Sequence, residues 1–286
     1  MLGQYISLWE AQSLRPELRA RNGGGIITTL LCYGLEQGLI DQALAVRAAS
    51  QPPWAEAVIV KTSKEALETA GSKYVFIPYR RLVDKLTPSS ALVGLPCQIR
   101  AYRKRPFLKL GLFCGLNLSP RGMDYLLKQL RVSPEEISAL DYRAPGGGLW
   151  IKLRNGREIR YPSYAWLAYF FSYPKCLRCT DYLNHQADIA VGDRRPEWSS
   201  VIIRTERGRA LFEGAIEAGL VRAVPLSEQL FTSSLMSPFY QKEFRGGYQS
   251  LPFVRVRGKW IEHLPLRLLR RIGLLIFRYT KRETAP

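Results

Sequence analysis

The stretch "YPKCLRCTDYLNHQADIAVGD" occupies residues 173–193 and joins a Cys-x-x-Cys motif to a short apolar strand that ends in Gly192 and Asp193. A Cys-x-x-Cys motif can begin a zinc knuckle, a thioredoxin-like redox pair or a set of iron–sulfur ligands. A buried strand next to such a motif predicts that the site lies at the edge of a sheet. The remaining cysteines decide between these kinds of site.

The chain has five cysteines, of which Cys176 and Cys179 form the motif. Cys97 in "GLPCQ" and Cys114 in "LFCGL" each end an apolar strand, and open α/β sheets place their sites at strand ends. Cys32 lies among leucines in the middle of a predicted helix, which is typical of a buried core residue.

Four thiolates suit either zinc or an iron–sulfur cluster. Structural zinc is usually bound by two pairs of ligands that are each tight in sequence. Here two of the four ligands come from separate strand ends, which favours a bulkier cluster. Zinc, or no metal at all, stays open on spacing alone. A thioredoxin-like role is disfavoured because that motif opens a helix early in a βαβ unit.

The composition describes a basic globular protein. Its 286 residues are 47% apolar and 23% charged, with a formal net charge of +18. Such a charge suits nucleic acid, anionic lipid, an acidic protein or a polyanionic ligand, although a basic surface alone would also produce it. The N-terminus resembles no secretory signal and no apolar run reaches about 18 residues, so a cytoplasmic protein is expected.

Strand and helix patterns alternate along the chain and then give way to a hairpin at residues 149–162, with Asn155 and Gly156 predicted as a type I′ turn. The predicted fold class is therefore α/β, with mixed sheets, flanking helices and cluster-binding loops at strand ends. Near the N-terminus, Gly23, Gly24 and Gly25 precede a helix. Their backbone N–H groups would suit a phosphate, although a flexible turn is the simpler interpretation.

The order of the motifs resembles one family. Glycines at a helix start are followed by "GSKY", "GLPCQ", "FCG", Cys-x-x-Cys-x-Asp and "ADIAVGD". This order resembles the beta-subunit family of coenzyme F420-reducing hydrogenases and dehydrogenases over about residues 1–225. The family also includes 7-hydroxymethyl chlorophyll a reductase and ferredoxin-dependent 8-vinyl reductases.

The resemblance implies FAD and one [4Fe–4S] cluster. The implied cluster ligands are Cys97, Cys114, Cys176 and Cys179. The implied flavin site contains Gly23, Gly24, Gly25, Thr28, Ser72, Lys73, Tyr74 and Asp193. Three segments are expected along the chain: a flavin-associated α/β domain at 1–90, an iron–sulfur and flavin domain at 91–250, and a basic amphipathic tail at 251–286.

The expected function is electron transfer between ferredoxin or a partner redox subunit and an anionic organic hydride acceptor, with coenzyme F420 as the expected substrate. The alternatives are a ferredoxin-dependent tetrapyrrole reductase and a zinc-stabilised module that binds nucleic acid, although nucleic acid is not an expected partner. No residue is assigned as a catalytic acid or base.

The tail carries an amphipathic pattern at residues 264–280, in which Arg267, Arg270, Arg271 and Arg278 share one face. Such a helix can lie on an anionic membrane, contact a partner subunit or pack on its own domain. Membrane association is therefore a second expectation for location.

Overall fold

The computed structural model describes residues 2–19, 23–144, 147–162, 164–235, 237–249 and 259–282. The strands are β1 (Ser7–Ser13), β2 (Gln42–Ala48), β3 (Ala55–Val60), β4 (Ser90–Gly94), β5 (Leu108–Leu112), β6 (Ile137–Asp141), β7 (Leu149–Leu153), β8 (Glu158–Tyr161), β9 (Ile189–Arg195), β10 (Trp198–Ile203) and β11 (Val221–Pro225).

The helices alternate with these strands and cover the sheets. They are α1 (Pro16–Arg19), α2 (Ile26–Glu36), α3 (Ser63–Glu68), α4 (Arg80–Val83), α5 (Pro96–Ala101), α6 (Pro120–Leu130), α7 (Ala168–Phe171), α8 (Pro174–Leu177), α9 (Glu206–Glu217), α10 (Glu228–Ser233), α11 (Ser237–Glu243) and α12 (Leu266–Arg282). Short 3-10 helices occupy Pro134–Glu136, Ala165–Leu167 and Lys259–His263.

The larger sheet has the strand order β11-β1-β10-β9-β5-β4-β2-β3. Strands β2, β4, β5 and β9 are parallel, and the outer strands join them in antiparallel pairs. All five residues of β4 are buried, as expected for a parallel strand covered by helices on both faces. The predicted mixed α/β fold is therefore confirmed.

Two apolar clusters cover the two faces of the larger sheet. On one face, α2 and α9 bury Leu30, Leu31 and Phe212 against the strands. On the other, Leu92 and Ile202 pack against Phe239 of α11. Helix α11 therefore rests on the sheet although it lies far along the chain.

A third cluster joins the smaller antiparallel sheet β6-β7-β8 to α6, α7 and α12. The predicted hairpin is present as β7 and β8, but its turn is not of type I′. That type needs a positive φ at both central residues, whereas only Gly156 of the pair has one, at 86°. The N–H group of Gly156 donates to the Leu153 carbonyl oxygen at 3.0 Å.

Helix α12 packs its apolar face on the protein, with Leu269 and Ile276 buried. Gly273 lies against Trp166, so close that an added Cβ atom would be 2.8 Å from that ring. No helix in the described part of the chain is long and apolar enough to cross a bilayer. The predicted segment boundaries stay predictions, and residues 251–258 and 283–286 of the tail lie outside the described residues.

Candidate functional site

The predicted site residues gather at one edge of the larger sheet, where the parallel strands end. Cys97 follows β4, Cys114 follows β5 and Asp193 lies near the end of β9. β1 points the same way, and the Ser13 N–H group at its end donates to the Gly24 carbonyl oxygen at 2.7 Å. Ligands bind at this edge of open α/β sheets because strand ends leave loops and helix N-termini facing a crevice.

The sequence suggested that Cys97 lies at the end of β4, but the structure places it on the first turn of α5. Pro96 supplies a fixed φ at the first helical position, so the strand turns into a helix within two residues. Gln98 fixes this turn, because its side-chain oxygen accepts from the Leu95 N–H at 2.9 Å and its amide donates to Ile77 at 2.8 Å.

Cys114 is positioned by main-chain hydrogen bonds to two other segments. Its N–H group donates to the carbonyl oxygen of Tyr182 at 3.0 Å, and that of Phe113 donates to Val191 at 2.8 Å. Gly192 makes room for the Phe113 ring, since an added Cβ atom there would lie 1.9 Å from the ring. The glycine of "ADIAVGD" therefore places the backbone that carries Cys114.

The Cys-x-x-Cys motif spans the short helix α8 and the turn that follows it. The Cys179 N–H group donates to the Cys176 carbonyl oxygen at 3.4 Å, and Tyr248 donates to the Leu177 carbonyl oxygen at 2.7 Å. The loop is thus held from outside as well as by its own turn.

The structure places the four predicted thiols so close together that a charge on one of them affects the pKa of another. Burial raises the pKa of Cys114 to about 12, and negative charges on Cys97, Cys176 and Cys179 would raise it further. Burial also raises the pKa of Cys97, whereas Lys175 opposes the rise. Thiols with such pKa values ionise when a metal replaces the proton.

Cys32 lies apart from these thiols. It is fully buried in α2, and its Sγ atom lies 3.5 Å from the Ser63 carbonyl oxygen. Its interpretation as a core residue is confirmed.

No three of the thiols lie as close together as a single bound zinc ion would hold them. Zinc with Zn–S bonds near 2.3 Å draws its four sulfur atoms to about 3.8 Å from one another. Among the residues that the structure describes, no three cysteine sulfur atoms lie within 4.8 Å of one another; the trio that does meet this distance is Asp181, His185 and Glu243. A cluster of several irons holds its thiolates farther apart.

Three residues that the sequence did not single out support this region. Asn184 donates to the carbonyl oxygens of Gly94 and Leu112. Lys242 donates to the Cys114 carbonyl oxygen, and Glu243 accepts from the Tyr182 N–H group at 2.8 Å. The sole signal in the sequence was Asn184 itself, a residue that tolerates the left-handed conformation it adopts with φ 58°.

The glycine segment forms a candidate phosphate cradle at the N-terminus of α2. Gly25 is the N-cap with φ 67°, and the first turn has neither a side-chain cap nor an acidic residue. Its N–H groups can therefore receive an anion. Gly23 faces open space toward Asp193, whereas Gly24 is packed so tightly that an added Cβ atom would lie 2.7 Å from the Ser199 nitrogen. Thr28 is buried within the helix.

Tyr74 and Asp193 meet through Arg143, which the sequence did not single out. The Arg143 Nη1 atom donates to Asp193 Oδ2 at 2.6 Å. Burial acts to lower the pKa of Arg143, but its interactions with Tyr74 and Asp193 outweigh burial and raise it. Burial also raises the pKa of Tyr74, and Ser72 interacts with the same hydroxyl. The arrangement places a half-buried cation beside the glycine segment.

Lys73 has a structural role in the same region. Its ammonium group donates to the carbonyl oxygens of Thr69 and Ala70, at 2.7 and 2.9 Å, just past the C-terminus of α3. A cation there complements the helix dipole. Its predicted part in flavin binding stays a prediction.

A mostly apolar cavity of about 220 Å³ borders Tyr74. Trp54, Leu118, Met123 and Tyr142 also line it. Aromatic and aliphatic walls of this kind suit a flat ring.

Two regions of the chain match known protein families. The coenzyme F420 hydrogenase/dehydrogenase beta-subunit N-terminal region matches residues 8–84, and the corresponding C-terminal region matches residues 88–229. A coenzyme F420 hydrogenase subunit beta from Methanosarcina barkeri is 27% identical, covering 79% of this chain and 84% of the relative.

A second relative is the beta subunit of a different F420-dependent enzyme. The F420-dependent formate dehydrogenase subunit beta of Methanocaldococcus jannaschii is 29% identical, covering 74% of this chain and 60% of the relative. Among solved structures, an F420-reducing [NiFe] hydrogenase complex from Methanosarcina barkeri contains a chain with a TM-score of 0.68 at 24% identity, over 85% of this chain and 90% of that one. That likeness concerns the fold.

Proposed function

The chain belongs to the coenzyme F420 hydrogenase/dehydrogenase beta-subunit family, a family of oxidoreductases in electron transfer, and we propose that it carries FAD and a [4Fe–4S] cluster and exchanges electrons with coenzyme F420. The observation that supports this most is the shared location of its two candidate sites. Four thiols and a glycine-led helix N-terminus lie at the same edge of one sheet.

Cys97, Cys114, Cys176 and Cys179 would hold the cluster. Four thiolates are the usual ligands of a [4Fe–4S] centre, and the partial burial of these four cysteines limits its contact with water. When bound, the cluster would pass electrons one at a time, and FAD would combine two of them with a proton so that a hydride can be transferred.

The cradle around Gly23 and Gly25 would hold the pyrophosphate of FAD. Uncapped N–H groups of α2 would donate to its oxygens, and Arg143 would add a charge. Asp193 would keep the Arg143 side chain in place. Thr28, Ser72, Lys73 and Tyr74 complete the proposed flavin surroundings, and the cavity beside Tyr74 would accept a flat ring of the flavin or of the hydride acceptor.

Coenzyme F420 is the proposed acceptor or donor of the hydride. The relatives named above act on it, and its phosphodiester and glutamate tail suit a chain with a net charge of +18. A tetrapyrrole reductase is the second candidate, because the apolar cavity would also suit a flat tetrapyrrole edge.

The proposed electron partner is a redox subunit or a ferredoxin, in a cytoplasmic protein. We also propose that α12 rests on an anionic lipid surface. Beside its buried stripe it exposes Leu268, Leu274 and Leu275, together with Arg267 and Arg271, and its first three turns have no acidic residue. Such a face embeds leucines among lipid tails and pairs arginines with headgroups.

The test is an anaerobic preparation of the full chain. We expect about four iron and four sulfide per chain, as one [4Fe–4S] cluster requires, together with one acid-released FAD. The loaded protein should then reduce coenzyme F420 with an artificial single-electron donor. A colourless protein with bound zinc would contradict the proposal and favour the zinc-stabilised module.

A further inference from the structure

A segment outside both family matches contacts the cysteine-bearing loops. The matches end at residue 229, whereas residues 237–249 include α11 and the turn after it. Lys242 of α11 donates from Nζ to the carbonyl oxygen of Cys114 at 2.7 Å and to that of Asp181 at 3.3 Å. Tyr248 donates to the Leu177 carbonyl oxygen, between the two cysteines of the motif. The segment therefore ties the Cys114 loop to the Cys-x-x-Cys loop.

Lys242 is a buried cation that has no ion-pair partner among the described residues. Only 2% of the residue is exposed, and its partners are two neutral carbonyl oxygens. None of the ion pairs among the described residues includes it. A buried charge is costly unless an opposite charge or a metal site compensates for it. The location of this ammonium group thus calls for a negative charge close by.

The thiols supply that negative charge when they bind a cluster. The charge of Lys242 is the largest influence that opposes the rise in the Cys114 pKa caused by burial, and it acts on Cys97 in the same direction. Four thiolates around an iron–sulfur core carry a net negative charge, and reduction by one electron makes it more negative. A fixed positive charge therefore stabilises the reduced form more than the oxidised form.

We propose that Lys242 is the internal counter-charge of the iron–sulfur cluster and that it raises the reduction potential of that cluster. The inference rests on the proposed cluster at Cys97, Cys114, Cys176 and Cys179. The step concerned is the uptake of one electron from the partner protein, in which no bond forms or breaks. Lys242 positions the two loops through its two hydrogen bonds, and its charge acts electrostatically on the cluster.

The test is a redox titration of the cluster in the full-length Lys242→Met variant, followed by visible absorption and electron paramagnetic resonance. Methionine keeps an unbranched chain but removes the charge. At a fixed potential we expect the ratio of reduced to oxidised cluster to fall at least tenfold, which for one electron equals a downward shift of about 59 mV. An unchanged or raised potential would overturn the proposal.

The direction of the shift separates the charge from a loosened loop. Water that enters a loosened site stabilises the more highly charged reduced form, so it would raise the potential. The matched control is Lys175→Met, which removes a solvent-exposed ammonium group that lies 4.0 Å from the Phe76 ring and also acts on Cys97. Because water screens that charge, we expect a change below about threefold in the same ratio.

A second measurement covers a variant that loads no cluster. In the metal-free protein, Lys242→Met loses two hydrogen bonds to carbonyl oxygens but also removes a buried charge that has no counter-charge there, so the two effects should offset each other and the metal-free variant should resist urea about as well as metal-free wild type. If the variant were instead much less stable without metal, Lys242 would be a structural residue alone and the proposal would fail. Absence of iron from the wild type would contradict the proposed function, whereas a normal cluster with an unshifted potential in the variant would contradict the role of Lys242 alone.

Discussion

Asn184 donates its side-chain amide to the carbonyl oxygen of Gly94 at 2.9 Å, across 90 residues of sequence. The same amide nitrogen lies 3.2 Å from the Leu112 carbonyl oxygen, and Asn184 is fully buried. Gly94 ends the strand before Cys97, and Leu112 ends the strand before Cys114. One side chain therefore fixes the spacing between two of the proposed cluster ligands.

Replacing Asn184 by Ala should lower the free energy of unfolding by about 3 kcal/mol, because two buried carbonyl oxygens lose a donor and alanine is disfavoured at this positive φ. Urea unfolding measures this change, and iron retention on gel filtration should fall with it. Asn155→Ala, in an exposed turn, is the matched control and should stay within about 0.5 kcal/mol of wild type. Equal losses of unfolding free energy in the two variants would show that the hydrogen bonds of Asn184 stabilise the protein no more than an exposed side chain does.

Replacement of any one of Cys97, Cys114, Cys176 and Cys179 by Ala should remove or convert the cluster, because each would supply one of four iron ligands. Iron, sulfide and visible absorption report this loss. Cys32→Ala is the control, since Cys32 lies in the core of α2, and it should keep full iron content. Loss of iron in the Cys32 variant alone would place the cluster elsewhere.

Gly23 and Gly24 should respond differently to a side chain. In Gly23→Val the side chain would point toward Asp193 across open space but would strain the backbone at φ 148°, so we expect weak FAD binding together with some loss of thermal stability. In Gly24→Ala the added atom would meet the backbone of Ser199 and Ala11, so we expect lowered thermal stability before any effect on FAD. Measurements of FAD content and thermal unfolding in both variants check this prediction. Full FAD occupancy in Gly23→Val would show that the phosphate site lies elsewhere.

The sequence singles out the candidate ligands more readily than the residues that support them. Each proposed ligand follows a local signal: a cysteine after an apolar strand, or a glycine before a helix. No such local signal marks Arg143 or Lys242. Arg143 contacts Asp193 across 50 residues of sequence, and Lys242 contacts Cys114 across 128. Local patterns do not encode such contacts.

Two local patterns say less than the structure does. The absence of a side chain at Gly24 makes room for β10, and a sequence does not say which neighbour a glycine faces; the part of Gly24 in phosphate binding stays a prediction. The apolar run before Cys97 predicted a strand up to that cysteine, whereas Pro96 already begins a helix. The edge of the sheet was nevertheless predicted correctly, since either conformation leaves Cys97 beyond the end of β4.

Full-length protein should sediment with vesicles that contain phosphatidylserine and not with pure phosphatidylcholine, if α12 lies on an anionic surface. Changing Arg267, Arg270 and Arg271 to Gln should weaken binding about 100-fold, at roughly 1 kcal/mol for each arginine. The control removes the same charge elsewhere, at the exposed residues Arg103, Arg157 and Arg222. Should both triple variants bind alike, net charge and not α12 would explain the binding, and a subunit contact would become the better role for this helix.

Recognition of coenzyme F420 should depend strongly on salt, because its phosphodiester and glutamate tail form a polyanion and the chain carries a net charge of +18. The basic pair Arg194 and Arg195 is a candidate contact for that tail. Both side chains pair with Glu10, and two positive charges against one negative charge leave a net charge of +1. Raising the ionic strength from about 0.01 M to 0.5 M shortens the screening length several-fold, so we expect the apparent KM for coenzyme F420 to rise at least about tenfold. Its tail-free analogue, reduced by the same artificial donor, should show little change and should be the poorer substrate at low salt. Equal turnover of the two compounds at low salt would mean that the tail is not recognised, and reduction of a tetrapyrrole without any reduction of coenzyme F420 would establish the second candidate function in its place.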